Sequence, residues 1–204
     1  MKKLTSRKAV LTQFGGEQGC RKYLEKLRWP DGVQCPRCES DRIARIAQRD
    51  RFDCGECGYG FSLTAGTAFG DSHLPMSKWF FCVCLMCDRE GANAKQIERA
   101  LGVTYKTAWF LCHRIRAAMA DMGPDPLKGI VRKIPPTEKQ VREQLEMLER
   151  KSSIPVQRIA VKHVRAYMGE LKFRQINRRS TNMFEKVVRK LIETPGVKYR
   201  ELTE

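Results

Sequence analysis

Apolar runs long enough to cross a bilayer are absent from this sequence, which argues against a helical membrane protein. The first residues, Met1 to Lys8, are basic, but no apolar stretch follows them, so we expect no secretory signal and a cytosolic location. Acidic side chains are also scarce, since 23 Asp and Glu stand against 39 Lys and Arg. The chain is therefore strongly basic, with a formal net charge of +16.

The basic excess is spread along the chain and is not gathered in one tail. Residues 1–120 hold 20 basic and 12 acidic side chains, and residues 121–204 hold 19 and 11. Such a distribution indicates a polyanion that is contacted along much of the molecule. A ribosomal-type protein or a merely soluble basic protein would carry the same charge, so charge alone leaves these alternatives open.

Cysteine, in contrast, is abundant, with nine residues in 204. Two pairs have the CxxC spacing: Cys35 with Cys38, and Cys54 with Cys57. Each pair places two thiolates on one tight turn, and the stretch between the pairs is long enough for a hairpin that brings the turns together. Four thiolates in this arrangement are the tetrahedral shell that Zn²⁺ prefers. The sequence therefore predicts a structural zinc site with no open coordination position.

Other interpretations of the cysteines are weaker. A redox CxxC pair usually sits at a helix start, and only one pair is expected. Cys82, Cys84 and Cys87 lie in an apolar run of helical length, where reduced cysteine commonly packs in the core. We expect core packing for these three, and for Cys20 and Cys112, although a ligand role for the three stays open. In the first CxxC turn, Glu39 stands where many zinc turns carry glycine, which predicts backbone strain.

A two-helix unit is predicted directly after the ribbon. Asn93 is a good N-cap for a helix from Ala94 to Leu101, and Gly102 supplies the positive φ that ends it. Thr104 can then cap a helix that runs from Tyr105 to about Met119. The expected inner side of the unit consists of apolar residues: Ile97, Leu101, Val103, Ala108, Leu111 and Ile115.

This spacing is typical of a helix-turn-helix, whose second helix enters the major groove of double-stranded DNA. An ordinary helical hairpin is the alternative, with the aromatic residues as packing groups. The predicted DNA contacts are the polar and aromatic residues on the exposed side of the second helix and basic residues that extend it: Thr104, Tyr105, Lys106, Trp109, His113, Arg114 and Arg116.

These motifs together resemble bacterial insertion-sequence transposases that carry an N-terminal zinc ribbon. The resemblance covers roughly residues 14–131. It is carried by three stretches: the start around Arg28-Trp29-Pro30, the ribbon exit Phe61 to Phe69, and the run Leu101 to Trp109 followed by His113 to Arg116. The resemblance implies a DNA-binding protein. In the family an RNase H-like core with an Asp/Asp/Asn-or-Glu metal site follows.

That catalytic motif is not found here. After Gly129-Ile130-Val131, the sequence continues with Arg132-Lys133 where the family has acidic residues. Residues 120–159 show no alternating strand pattern, and 137–151 read as a solvated helix of mixed charge. Two-metal DNA cleavage needs several carboxylates on a rigid sheet. We therefore expect a transposase-like protein that has lost its catalytic core.

The C-terminal part is predicted to be helical. One helix is expected from Val164 to Ile176, with Arg174 and Arg178 as further DNA contacts. Ser180 or Thr181 is expected to cap a last helix, from Asn182 to Glu193. These helices are expected either to add phosphate contacts or to form a homo-oligomer, and a helical tail with a solvated basic face is an equal alternative.

The predicted fold is mostly α with a small β zinc ribbon. Its parts are an N-terminal helix and zinc ribbon (1–70), a helix-turn-helix (71–122), and a linker with a C-terminal helical region (123–204). The function that this organisation favours is sequence-specific binding of double-stranded DNA by a zinc-stabilised protein in the bacterial cytoplasm. The alternatives are an active or partner-assisted transposase, a module that binds protein or RNA, and a decayed remnant.

Overall fold

The computed structural model describes residues 6–46, 50–88, 91–120, 143, 146, 163–177, 179–196 and 200. The helices of this part of the chain are α1 (Arg7–Phe14), α2 (Gly16–Arg28), α3 (Met76–Cys87), α4 (Ala94–Leu101), α5 (Tyr105–Ala120), α6 (Val164–Ile176) and α7 (Met183–Glu193). The strands are β1 (Ile43–Ile46), β2 (Arg51–Cys54) and β3 (Gly60–Ser62). The predicted class, mostly α with a small β ribbon, is confirmed.

The three strands form one antiparallel sheet in the order β1-β2-β3. Ile43 pairs with Cys54, and Phe52 pairs with Phe61. Alternation along β2 turns Phe52 and Cys54 inward, while Arg51 faces solvent. The hairpin predicted between the two CxxC pairs is therefore present, and it continues into a third strand.

The core joins the two ends of the chain. An aromatic cluster brings together Phe14 of α1, Tyr23 of α2, Phe80 of α3 and Phe184 of α7. The ring centroids of Phe14 and Phe80 lie 5.0 Å apart, and those of Phe80 and Phe184 lie 5.2 Å apart. Buried residues from all three predicted parts belong to this one cluster. The division into three domains stays a prediction, because contacts within a core do not define sequence boundaries.

Helix α3 is the centre of the core, with residues such as Trp79, Phe80 and Val83 almost fully buried. Its N-terminus is capped from another helix: the Glu17 carboxylate of α2 accepts hydrogen bonds from the backbone N–H of Met76 at 2.5 Å and of Ser77 at 3.0 Å. A carboxylate at a helix N-terminus also complements the helix dipole. Although α3 is apolar, no helix in the described part of the chain is long enough to span a membrane.

Helices α5 and α6 pack side by side and run parallel. Trp109 contacts His163, His113 contacts Tyr167 and Arg116 contacts Glu170, so the contacts of the two helices ascend together. Gly169 packs so closely on Ala120 that a side chain at this position would overlap it. The two helices come from distant parts of the sequence, since residues 121–163 lie between them.

Two predictions on the C-terminal part need comment. Helix α6 has the predicted bounds, but α7 begins at Met183 with Asn182 as its N-cap and no side-chain capping hydrogen bond. The predicted cap by Ser180 or Thr181 is therefore wrong, since the Thr181 hydroxyl binds the Asn182 side chain instead. The predicted helix over 137–151 lies outside the described residues apart from Glu143 and Glu146, which are helical and exposed.

Candidate zinc centre and nucleic-acid interface

Four cysteine side chains meet at one point of the ribbon. The Sγ atoms of Cys35, Cys38, Cys54 and Cys57 all lie within 4.8 Å of one another. The Cys35 and Cys57 sulfurs are 3.7 Å apart, and the Cys38 and Cys54 sulfurs are 3.6 Å apart. Four sulfurs bonded to one zinc ion at about 2.3 Å would be about 3.8 Å apart in a regular tetrahedron. The four cysteines fit a structural Zn²⁺, as the sequence predicted.

Both ligand pairs lie on the same kind of turn. The Cys35 carbonyl accepts a hydrogen bond from the Glu39 N–H at 2.9 Å, and the Cys54 carbonyl accepts one from the Gly58 N–H at 3.0 Å. The residue that closes each turn is left-handed, with φ +61° at Glu39 and +67° at Gly58. This conformation costs a residue with a side chain about 1–2 kcal/mol. The backbone strain predicted at Glu39 is therefore confirmed.

Backbone N–H groups favour the thiolate form of two ligands. The N–H of Cys57 lowers the pKa of the Cys54 thiol to about 6, although burial opposes the shift. At Cys35, burial works against ionisation, but the N–H groups of Arg37 and Cys38 outweigh it and lower the pKa. Thiolate is the form that binds zinc. The bound ion would cross-link the two turns and thereby hold the ribbon together.

Arg28 fixes the ribbon to the helical part. Its guanidinium donates hydrogen bonds to the carbonyls of Leu63 at 2.5 Å and Ala65 at 2.7 Å, and it lies 4.4 Å from the centroid of the Trp29 ring. Burial lowers the pKa of Arg28 to about 10, so the side chain still carries its charge at neutral pH. The ribbon exit is thus attached to the end of α2 by one half-buried cation.

The other cysteines pack among apolar residues. Cys20, Cys82 and Cys112 are fully buried, and Cys84 and Cys87 are partly buried. Burial raises the pKa of Cys20 to about 11 and that of Cys84 to about 12, so these groups remain neutral thiols. Within the described ranges, the ribbon site is the one group of His, Cys, Asp or Glu with metal-binding geometry. The predicted core packing is confirmed for the fully buried three.

The unit of α4, a short turn and α5 is fixed at each of its ends. Asn93 and Gln96 form a complete capping box at the start of α4, and Gly102 ends α4 with φ +59°. The Thr104 hydroxyl accepts a hydrogen bond from the Thr107 N–H at 3.3 Å and so caps α5. The predicted inner side is buried, with Val103 partly covered. Glu98 lies at the edge of the unit, where it forms an ion pair with Lys95 at 2.6 Å.

The first turn of α5 projects from the molecule. Thr104, Tyr105 and Lys106 are exposed, and Tyr105 keeps 51% of its surface accessible. A cleft of about 440 Å³ lies beside this turn, between α5 and the loop at Asp71–Leu74, and Lys106 is part of its wall. Trp109, one turn further, is half-buried against the rings of His113 and His163. Of the seven predicted contacts on α5 and its cap, the first three are therefore accessible.

The basic residues further along α5 lie in the interior, which corrects their prediction as DNA contacts. His113, Arg114 and Arg116 are 2%, 3% and 1% exposed. Arg114 donates hydrogen bonds to the carbonyls of Ala68 at 3.1 Å and Gly70 at 2.6 Å. Burial, together with the positive charge of Arg116, lowers the pKa of His113 to about 3. The loop at Ala68–Gly70 binds Arg114, and α3, α6 and α7 pack against α5 around the other two side chains.

Glu170 is the residue that sequence reasoning missed. Its carboxylate accepts a hydrogen bond from Nε of Arg116 at 2.6 Å and forms an ion pair with Arg174 at 3.5 Å. The Arg174 side chain is only 10% exposed, so its assignment to DNA is also corrected. Arg178 lies outside the described residues. The spacing of Glu170 and Arg174 by four positions was the available signal for a charge pair on one face of α6.

Comparison with known proteins agrees with the geometry of the ribbon. Residues 15–60 match the transposase zinc-ribbon domain of the IS1595 type. Over 109 residues the chain is 28% identical to an uncharacterized protein in transposable element ISH50 of Halobacterium salinarum. The alignment covers 52% of this chain but only 37% of that relative, so the chain spans about a third of its length. No solved structure matches the chain. The protein is therefore transposase-like, and its ribbon is of the transposase zinc-ribbon type.

Proposed function

We propose that the protein binds double-stranded DNA in a sequence-specific manner and that the first turn of α5 reads the major groove. In this proposal α4, the turn and α5 act as a helix-turn-helix, and zinc holds the ribbon beside it. The expected contacts are Thr104, Tyr105 and Lys106, with Trp109 at their edge. The DNA-bound protein would be found in the cytoplasm.

The observation that carries the proposal is the contrast along α5. Most residues of its second half are buried, whereas its first turn is exposed, capped and continuous with the capped turn from α4. A helix held rigidly at one end and accessible at its N-terminus has the geometry with which such motifs enter the major groove. The net charge of +16 supplies the long-range attraction to a polyanion.

We further propose that the protein alone does not cleave DNA. The supporting observation is the sequence between α5 and α6, in which basic residues stand where the transposases that it resembles have their first acidic motif. A two-metal reaction would lack its ligands there. Such a protein would act as a regulator of transcription, or it would compete with an intact relative for DNA ends.

Selection of bound duplexes from a random pool tests the DNA-reading proposal, with zinc-loaded protein at physiological salt. We expect an enriched motif. The variants Tyr105→Ala and Lys106→Ala are expected to weaken binding to it by roughly 5- to 100-fold, the effect of losing one good base contact. Lys8→Ala removes the same charge from a different helix and serves as the matched control.

The outcomes separate the competing functions. Binding without enrichment, with a steep dependence on salt, would contradict sequence reading and leave a general polyanion binder. A consistent preference for RNA would instead favour an interaction module for RNA or protein.

The resemblance to transposases favours one second candidate, an active or partner-assisted transposase. Incubation of the pure protein with the selected DNA and Mg²⁺ tests it. We expect neither nicking nor strand transfer. Metal-dependent cleavage that is abolished by substitution of a single acidic residue would establish the enzyme.

A further inference from the structure

A column of stacked rings runs through the ribbon and ends at its surface. Phe52 stacks on Phe61, with centroids 5.4 Å apart and planes at 24°, and Phe61 stacks on Tyr59 at 5.9 Å and 15°. The first two rings are buried, but Tyr59 is 37% exposed. The guanidinium of Arg37 lies 5.9 Å from the centroid of the Tyr59 ring. The column therefore ends at the surface in an aromatic ring with a cation over it.

Tyr59 and Arg37 line a depression that we call the ribbon hollow, together with Pro36, Ala65 and Gly66. Its volume is about 320 Å³. The small residues Ala65 and Gly66 leave room for a flat group beside Tyr59. The hollow is bounded on one side by the zinc turn that carries Arg37. On the other side lies Ala65, whose carbonyl accepts a hydrogen bond from the half-buried Arg28 guanidinium at 2.7 Å.

We propose that the ribbon hollow binds an unpaired nucleotide of DNA, with its base stacked on Tyr59 and its phosphate paired with Arg37. Aromatic rings and arginine are the groups on which proteins stack the bases of single strands. The base must be unpaired or terminal, since the faces of bases inside a duplex are covered by their neighbours. The assignment of DNA as the nucleic acid rests on the proposed function, but the site is separate from α5.

The negative charge of the neighbouring zinc site makes Arg37 important for binding a phosphate. Four thiolates and one Zn²⁺ carry a net charge of about −2, which would repel a phosphate at the first zinc turn. Arg37 is the exposed cation that offsets this charge at the hollow, because Arg28 is engaged with carbonyl groups. Loss of Arg37 should therefore weaken binding of a strand even where stacking on Tyr59 is retained.

The test compares two probes with the zinc-loaded full chain. One is a fluorescein-labelled single strand of about 20 thymidines, and the other is a closed duplex minicircle that carries the selected motif and has no ends. Tyr59→Leu is expected to weaken binding of the single strand by roughly 5- to 100-fold, the loss of one stacked base. Tyr59→Phe keeps the ring and should bind within about threefold of the original protein. Arg37→Gln should bind the strand more weakly than the original, and all three variants should bind the minicircle unchanged.

The zinc content of each variant, expected to be one ion per chain, shows that the ribbon is folded. Unchanged binding of the single strand by Tyr59→Leu would overturn the proposal, and so would a failure of the original protein to bind this strand. A tenfold preference for the corresponding uridine strand would overturn the assignment to DNA in favour of RNA. Failure on the minicircle alone would contradict the duplex-reading function but not the ribbon hollow.

Discussion

The zinc ribbon and the α5–α6 pair both contain arginine, but the two regions place it differently. In the ribbon, the side chains of Arg42 and Arg45 are 70% and 55% exposed, although each has an acidic partner. In α5, Arg114 and Arg116 are 3% and 1% exposed and bind carbonyl groups and a carboxylate. The ribbon is stabilised by its zinc site and keeps its arginines at the surface. The α5–α6 pair instead contains buried ion pairs between its helices.

This difference teaches that a basic residue on a helix with the sequence pattern of a DNA-reading helix need not face solvent. A buried arginine has to find partners for its charge and its N–H groups, because transfer from water without them is costly. Arg116 finds Glu170, which in turn contacts Arg174. The surface available for phosphate is therefore smaller than the net charge of the chain suggests.

Removal of zinc should separate the two regions most clearly. Structural zinc contributes roughly 10–16 kcal/mol to folding in small zinc domains. The strands of the ribbon contribute few residues, such as Phe52 and Phe61, to the core. Chelation, or the variant Cys54→Ser, should unfold the ribbon while α3, α5 and α7 stay folded. Hydrogen exchange should show loss of protection in β1–β3 and retained protection in these helices.

The control for zinc removal is Cys84→Ser, which changes a partly buried thiol outside the site and should keep one zinc ion. Persistent protection of β2 without zinc would show that the metal is not what holds the ribbon.

Glu170→Gln should destabilise the α5–α6 pair, because it removes the buried negative charge between the two helices. The amide is the same size but leaves Arg116 and Arg174 without their counter-charge, and loss of one partner of a buried pair typically costs about 3–5 kcal/mol. Urea unfolding measures this change in the free energy of unfolding. The matched control is Glu185→Gln in the exposed Glu185–Arg189 pair, for which we expect less than about 1 kcal/mol. Equal effects of the two substitutions would mean that the α5–α6 charges do not stabilise the fold.

Features that depend on neighbouring residues could be predicted from the sequence. Features that depend on residues far apart in the chain could not. The zinc ligands, the N-cap Asn93 and the left-handed Gly102 depend on a few neighbouring residues, and all were predicted. The full capping box that Asn93 forms with Gln96 was not. The environment of Arg116 depends on Glu170, which lies 54 positions later. The capping of α3 by Glu17 depends on a residue about 60 positions earlier.

The periodicity of α5 also could not show that its far side is covered. The pattern of Leu111 and Ile115 indicates one buried face, and the remaining polar residues were assigned to solvent. The structure packs α3, α6 and α7 around these positions as well. A single sequence contains no signal for this packing, since the parallel arrangement of α5 and α6 depends on the tertiary structure. The exposed end of the ring column at Tyr59 was likewise invisible without the β2–β3 register.

Burial of His113 should make the free energy of unfolding depend on pH. Its pKa is lowered to about 3 from an ordinary value of 6.5, so the unfolded chain takes up a proton below pH 6.5 while the folded chain does not. The stability is fully present above pH 6.5 and is lost as the pH falls towards 3, by up to about 1.4 kcal/mol per pH unit. Between pH 7.5 and 5 the loss should reach about 2 kcal/mol.

Urea unfolding at several pH values should show this slope and its absence in His113→Gln. The variant His73→Gln replaces an exposed histidine and is expected to keep the original slope. Because zinc is also released in acid, the informative quantity is the difference between these two variants. Identical slopes for both would contradict the buried, neutral state of His113.

The two zinc turns allow the smallest and sharpest test, because they differ at the residue that closes them. Both residues are left-handed, but the first turn uses Glu39 and the second uses Gly58. Glu39→Gly removes the strain of about 1–2 kcal/mol but adds freedom to the unfolded chain, so we expect a net stabilisation of about 0.5–1 kcal/mol. Gly58→Ala should destabilise the ribbon by about 1 kcal/mol, since it introduces the same strain in the other turn. Competition for zinc with a chromogenic chelator measures both effects on the ribbon alone. Weaker zinc binding by Glu39→Gly than by the original protein would contradict this expectation. It would mean that the Glu39 side chain stabilises the site by more than its backbone strain costs, and that the two turns are not equivalent.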